Sequence, residues 1–327
     1  MNFVFTVGDI NGIGPEIIVK TLNRLKKNKD KFIVVAPSHI FAETLSLLNF
    51  KLDYKIFTQS NLVLSSDYIS LIDLPNSKLN IGKATKHSGK TSYDSIITSY
   101  NLIKNNFADA IITAPISKTA WHLAGYKFPG HTELFGSLCN SKNFVMMFLS
   151  NRMNGSLLTI HEPIQKVSRL ISAKKFETHL AVVIKTLKND LLIEVPKIAV
   201  LGLNPHAGED GKIGYEEIDT LSPIIKKYKG IVHGPFPSDA FFANKKEKEF
   251  DLVIGMYHDQ LLIPFKMMNF SSGVNFTAGL PIVRTSPDHG TAYDIAWKGI
   301  ADESSMFAAY KYAKLIATNR KKIGAKK

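Results

Sequence analysis

Residues 3–36 read FVFTVGDINGIGPEIIVKTLNRLKKNKDKFIVVA, and the order of patterns within them decides the fold class. Residues 3–7 form a short run of β-branched and aromatic residues, of buried-strand type. A turn rich in glycine follows at Gly8, Gly12 and Gly14, and an amphipathic helical stretch then continues as far as Lys27. Pro15 suits a first helical turn, and Glu16 beside it complements the helix dipole. Residues 32–36 are a second apolar run. Strand, loop, helix and strand in that order make a parallel βαβ unit. The glycines suit two uses equally: close approach of a ligand to the backbone, or a tight structural turn. Their spacing is not that of a dinucleotide or Walker loop, since G-x-G-x-x-G is absent and no Lys-Ser/Thr pair follows the last glycine.

The same alternation continues outward. Residues 37–49 read as a crossover helix, 54–57 and 69–74 as short strands, and 87–105 as a long helix with Ile96, Ile97, Tyr100 and Ile103 on one face. Residues 109–113 are a strand whose carboxyl end, Ala114 to Lys118, forms a loop that can present Lys118. At 130–133, GHTE opens a short helix. Thr132 is its candidate cap, and its N-terminus favours an anion. Residues 143–150 and 156–160 read as paired strands, 173–191 as a helix and 197–203 as another strand. The fold class is therefore α/β, a parallel sheet with helices on its faces.

Three apolar strands stop at a histidine. They end in HEP (161–163), NPHAGE (204–209) and YHDQ (257–260), which places His161, His206 and His258 where open α/β sheets bind ligands. Three imidazoles with open positions are a known catalytic metal set. A lone histidine is more often a satisfied polar residue, and His39, His87, His122, His179 and His233 are read that way. In GPFPSD (234–239), Asp239 falls in a loop. There it suits a carboxylate behind the metal ligands, a proton acceptor, or the cap of the helix that follows. From residue 251 the chain continues DLVIGMYHDQLLIPFKMMNFSSGVNFTAGLPIVRTSPDHGTAYDIAWKG. Lys266, Asn275 and Arg284 follow one another here with Gly273, Gly279, Pro281 and Pro287 between them. This spacing predicts polar side chains presented from turns, able together to grip a small anion.

The 327 residues suffice for two domains at roughly 150 each, with 45% hydrophobic and 21% charged residues, an ordinary globular balance. No apolar run reaches the roughly 20 residues of a membrane span. Residue 1 leads directly into a strand without the regions of a signal peptide, so a cytoplasmic location is expected. Cys139 is the single cysteine, which excludes a disulfide or thiolate cluster within one chain. The net charge of +13 suits nucleic acid, an anionic membrane or small anionic substrates. Much of it sits in surface-type lysines such as Lys26, Lys27, Lys245 and Lys246 and in a tail at Lys321, Lys322, Lys326 and Lys327. No aromatic-interleaved basic motif or zinc-finger spacing supports a nucleic-acid partner.

Taken in order, GDINGIGPE, TAPISK, GHTE, HEP, GLNPHAGEDGKIGYEE, PSDAFF, YHDQ, GVNFTAGLPIVRTSPDHGTA and HGTAYDIAWKG resemble the 4-hydroxythreonine-4-phosphate dehydrogenase family of pyridoxal phosphate biosynthesis. The glycine loop and HGTAYDIAWKG also resemble the wider isocitrate and isopropylmalate dehydrogenase group. The resemblance implies that group's two-domain α/β/α fold, with the active site in an interdomain cleft. It puts residues 1–130 with 265–327 in a first, NAD-binding domain, and 131–264 in a second domain for dimerisation and metal. It implies metal ligands at His161, His206 and His258, and substrate contacts at His131, Thr132, Lys266, Asn275 and Arg284. His289, Gly290 and Asp294 would lie near the adenosine of NAD. A homodimer sharing its metal site, NAD or NADP, and a divalent zinc, cobalt or magnesium ion belong to the same expectation.

The expected reaction is oxidation of 4-phosphohydroxy-L-threonine to 2-amino-3-oxo-4-phosphooxybutanoate, which decarboxylates to 3-amino-2-oxopropyl phosphate. Asp239, or a water held by the metal, is the candidate base, and Lys266 the cation that stabilises charge as CO2 leaves. Two rivals stand: a metal- and NAD-dependent dehydrogenase of a phosphorylated sugar acid, and a metal-dependent lyase or hydrolase that uses no NAD. Departures from the family pattern fall at Ile10, Asn11 and the LLIPFK segment, and they concern loop shape.

Overall fold

A computed structural model describes residues 1–269 and 271–325, folded as two compact units. The first comprises Met1–Asn140 with Pro281–Ala317, the second Ser141–Leu280 with the chain from Thr318 onward. Lys326 and Lys327, the end of the basic tail, lie outside the described residues.

In the first unit the chain runs through β1 (Asn2–Thr6), α1 (Gly14–Leu25), β2 (Lys31–Ala36), α2 (Ser38–Leu48), β3 (Tyr54–Phe57), β4 (Ile69–Asp73), α3 (Lys86–Lys104), β5 (Ala110–Thr113), α4 (Lys118–Leu123) and α5 (His131–Leu138). Phe3, Val4 and Phe5 of β1 and Ile111 and Ile112 of β5 are fully buried, as parallel strands covered on both faces require. The start of α3 is set by a capping box between Thr85 and Ser88, one residue ahead of the apolar pattern. Gly89 on that helix lets α4 approach, because a Cβ there would lie 2.0 Å from the Ala120 carbonyl oxygen.

The second unit holds β6 (Val145–Leu149), β7 (Gly155–Leu157), α6 (Ile164–Leu170), α7 (Ala173–Asn189), β8 (Ile198–Leu201), α8 (Ser222–Lys227), β9 (Val232–Phe236), α9 (Ser238–Ala243), β10 (Leu252–Gly255), α10 (His258–Asn269) and β11 (Val274–Ala278). Its strands run in the order β11-β6-β7-β10-β8-β9, antiparallel across the first two pairings and parallel across the rest. Phe148, Phe241, Leu261 and Phe265 pack into one apolar cluster beside them. The chain then returns to the first unit as β12 (Arg284–Pro287) and ends in α11 (Ser304–Gly324). With β12 in place, that unit's sheet reads β3-β4-β2-β1-β5-β12, all parallel.

Residues 265–280 thus group with the second unit, whereas the sequence joins them to the first. The cause is twofold: Leu261, Leu262 and Phe265 of α10 join the second unit's apolar cluster, and β11 pairs with β6 over five residues, from Val274 opposite Leu149 to Ala278 opposite Val145. The chain beyond Thr318 groups there too, through Arg320, whose Nε and Nη2 donate to the Asp190 carboxylate at 2.7 and 2.9 Å. Among the described residues no helix is long and apolar enough to cross a membrane.

Candidate active site

The three candidate metal histidines lie in the second unit. His258 is the first residue of α10, three residues past the end of β10, and its ring centroid stands 5.6 Å from that of His161. Its Nδ1 is 2.7 Å from Asp259 Oδ1, an arrangement that fixes the ring and leaves Nε2 directed elsewhere. His161 is exposed, four residues beyond β7, in left-handed backbone with φ 50°. His206 shares that conformation, at φ 53°, within five consecutive left-handed residues from His206 to Asp210. Such backbone costs of order 1 kcal/mol or more per non-glycine residue, and it concentrates where surroundings hold it for function.

What holds the His206 loop is a set of side chains that the sequence reading passed over. Glu217, 2% exposed, accepts from the Asn204 backbone N–H at 2.8 Å and from Asn204 Nδ2 at 2.9 Å. Asn204 Nδ2 also donates to Glu216 at 2.8 Å. Gln260 performs the same service for His258. Its Nε2 donates to Gly202 O at 2.6 Å and to Ser238 Oγ at 2.8 Å, while its Oε1 accepts from Met256 N at 2.6 Å. One amide therefore joins the starts of α9 and α10 to the end of β8. The signals were present: Asn204 two residues before His206, and Gln260 two after His258.

Among the described residues, no group of three His, Cys, Asp or Glu side chains in one chain comes close enough to hold a metal ion. His161 and His258 are a ring pair, and with His206 they do not make up such a group within one chain. Asp239 proves not to lie in a loop. It is an exposed residue in the first turn of α9, whose N-cap is Pro237 without a side-chain cap bond, so the capping role falls away.

Lys266, Asn275 and Arg284 are likewise not presented from turns. Lys266 is exposed on α10, Asn275 lies on β11 and Arg284 on β12. Pro264 inside α10 argues against a helix there at about 3 kcal/mol, but burial of Leu261, Leu262 and Phe265 on one face, each worth roughly 2 kcal/mol, outweighs it. Asn275 Oδ1 is buried and has no hydrogen-bond partner among the described residues, which marks it as an acceptor for a ligand donor.

The anion-binding candidates of the first unit surround Arg284, which is 2% exposed. Its Nε and Nη2 donate to Thr113 Oγ1 at 3.1 and 2.7 Å, and its guanidinium lies 5.9 Å above the Phe135 ring. Burial pulls this group down to about 9, so it remains a cation at neutral pH. Thr113 Oγ1 is one acceptor of this buried cation, and the charge of Glu133 also acts on it. His131, on α5, is held well below its ordinary 6.5 by burial and then by the charge of Arg284. It is a neutral imidazole, and its buried Nε2 has no hydrogen-bond partner among the described residues. Thr132 beside it is buried at 3% exposure and does not cap α5, whose N-cap is Gly130. Thr113, which receives Arg284, was read only as a strand residue.

His289, Gly290 and Asp294 belong to an irregular segment of the first unit. His289 Nδ1 lies 3.2 Å from Gly290 O, Asp294 is exposed, and a Cβ on Gly290 would meet nothing within 4 Å.

Comparison with known proteins places this geometry. The profile of a family described as pyridoxal phosphate biosynthetic protein PdxA matches residues 28–313. A protein of Desulforapulum autotrophicum named 4-hydroxythreonine-4-phosphate dehydrogenase is 42% identical over 329 residues, spanning 96% of this chain and 94% of its own. D-threonate 4-phosphate dehydrogenase of Salmonella typhimurium is 37% identical over 324 residues, spanning 95% of this chain and 98% of its own. A crystal structure of 4-hydroxythreonine-4-phosphate dehydrogenase from Klebsiella pneumoniae superposes with a TM-score of 0.83 at 36% identity, covering 96% of this chain and 99% of that one.

Proposed function

The chain belongs to the PdxA family of pyridoxal phosphate biosynthetic proteins and is a dehydrogenase, and from that premise we propose that it oxidises 4-phosphohydroxy-L-threonine at its secondary alcohol. The observation that carries the substrate class is Arg284, a fully buried guanidinium beside a neutral imidazole, which suits a phosphate or carboxylate.

In the reaction the carbon bearing the hydroxyl gives up a hydride, and the hydroxyl gives up a proton. The resulting β-keto acid loses CO2, and the carbon left behind takes up a proton, giving 3-amino-2-oxopropyl phosphate. NAD or NADP, when bound, would supply the hydride acceptor, and a zinc, cobalt or magnesium ion would supply Lewis acidity. The donors fit such an ion: His258 is braced at Nδ1 by Asp259, and His161 lies within one ring spacing of it. His161 and His258 from one chain, with His206 from a second copy, would hold it in a homodimer.

The residues of the chain divide the remaining work. Arg284 binds an anionic group, and neutral His131 contributes a hydrogen bond without adding charge. Asn275 Oδ1 accepts from a substrate donor. Asp239, exposed at the start of α9, takes the hydroxyl proton, and Lys266 stabilises negative charge as CO2 leaves.

Production of reduced nicotinamide from 4-phosphohydroxy-L-threonine, using metal-stripped enzyme with and without each ion, tests the proposal. Metal-dependent reduction is expected. A folded dimer that gives none with any ion would overturn it. A second reading, oxidation of a phosphorylated sugar acid, has specific support in the Salmonella typhimurium relative. Side-by-side kinetics on 4-phosphohydroxy-L-threonine and D-threonate 4-phosphate decide between them, with the amino substrate expected to show the higher kcat/KM.

A further inference from the structure

Residues 288–303 contain no helix or strand, yet between Thr291 and Ala301 the segment is fastened at several points to the glycine turn and α1. Ile13 N donates to Thr291 O at 3.0 Å. The Tyr293 hydroxyl donates to Asp9 Oδ2 at 2.8 Å, and Trp297 Nε1 donates to Ile10 O at 2.8 Å. Further along, Glu16 accepts from the N–H groups of Gly299 and Ala301 at 3.3 and 2.7 Å. Lys20 donates to the carbonyl oxygens of the same two residues at 3.0 and 2.6 Å.

Gly12 is explained by the contact with Thr291, while Gly8 and Gly14 make room for Pro115 and Val7. A Cβ on Gly12 would stand 2.7 Å from Thr291 O, and one on Gly14 would stand 2.4 Å from Val7 O. The close backbone approach that the glycine pattern permits is made by the protein's own chain. Inside the segment, Ala292 and Trp297 are left-handed at φ 42° and 59°. Non-glycine residues keep such angles only where surrounding contacts over-determine them. Asp9, at 0% exposure, is the buried anchor, and it also accepts from Ser88 Oγ at 3.2 Å and from Asn11 N at 2.9 Å.

We propose that the glycine turn and the first turn of α1 form a socket that holds residues 289–301 in the shape that receives the nicotinamide cofactor. Asp9, Glu16, Tyr293 and Trp297 are then positioning residues for cofactor affinity. The inference rests on the reading of His289, Gly290 and Asp294 as cofactor contacts.

The test uses the metal-loaded enzyme and its Tyr293→Phe and Trp297→Phe variants. Calorimetry measures the Kd for NAD and, separately, for 4-phosphohydroxy-L-threonine, and hydrogen exchange is followed over residues 288–303. Tyr293→Phe removes one hydroxyl and leaves Asp9 its bonds to Ser88 and Asn11. It is expected to weaken NAD binding by about tenfold, with exchange quickened in that segment and the Kd for the phosphorylated substrate unchanged within about twofold. Unchanged NAD affinity in a variant whose segment exchanges faster would overturn the socket, since the contacts would then be structural only. A wild-type enzyme that binds no NAD would overturn the cofactor reading itself, a different outcome. If Tyr293→Phe does not fold, Trp297→Phe decides by the same measurements.

Discussion

Arg284 and His131 form an unequal pair, one charged and one held neutral by the same burial and by its neighbour's charge. Arg284→Lys keeps the cation but loses the planar fork, so kcat/KM for the phosphorylated substrate is expected to fall by about 100-fold or more in steady-state kinetics, chiefly through KM. Buried histidines also give the protein an acid limit. His179, 6% exposed with Nε2 2.9 Å from Ser156 Oγ, is pulled by burial, and then by the charge of Lys175, from 6.5 to about 3. Between those values the unfolded chain binds a proton that the folded chain does not. Stability therefore falls as pH drops through this window, at up to about 1.4 kcal/mol per pH unit for the one group, and levels off below it. Urea midpoints measured across the window should show this slope, and His179→Gln should reduce it, leaving the part of the same sign that comes from His131.

At the scale of elements, two close contacts set the geometry. Gly89→Ala places a methyl group against the Ala120 carbonyl, and α3 and α4 must separate to admit it. A loss of about 3 kcal/mol or more in urea unfolding is expected. The left-handed turn from His206 to Asp210 depends on Asn204 and Glu217. Asn204→Ala removes one side-chain donor from a buried carboxylate, and a destabilisation of about 1–3 kcal/mol is expected. Under the metal site proposed above, a drop in metal affinity should accompany it, seen by calorimetry, because the turn that carries His206 is loosened.

At the scale of the whole molecule, the pairing of His161 with His258 in one chain predicts a particular pattern of complementation. Under the homodimer with a shared metal site proposed above, His161→Ala and His206→Ala homodimers should each be inactive, and their mixed dimers should recover one intact site of two, about a quarter of wild-type activity at statistical mixing. His161→Ala mixed with His258→Ala should recover nothing, and recovery there would show the ligands to be distributed otherwise. Much of this molecule was legible in its residues. The apolar strands, the glycine turn, the capping-type helix starts and the histidines that end strands all depend on neighbours in sequence, and these local patterns determined the α/β class and the candidate residues. Tertiary structure decided the rest. Asn275 went to the second unit because β11 pairs with β6, a contact more than 120 residues apart along the chain, and Lys266 because α10 packs into that unit's apolar cluster. Pro264 was overruled because the buried face of α10 outweighs a local penalty. Gly12 turned out to admit Thr291 of the same chain, a partner that no local pattern could name, because such close approach is settled by long-range packing.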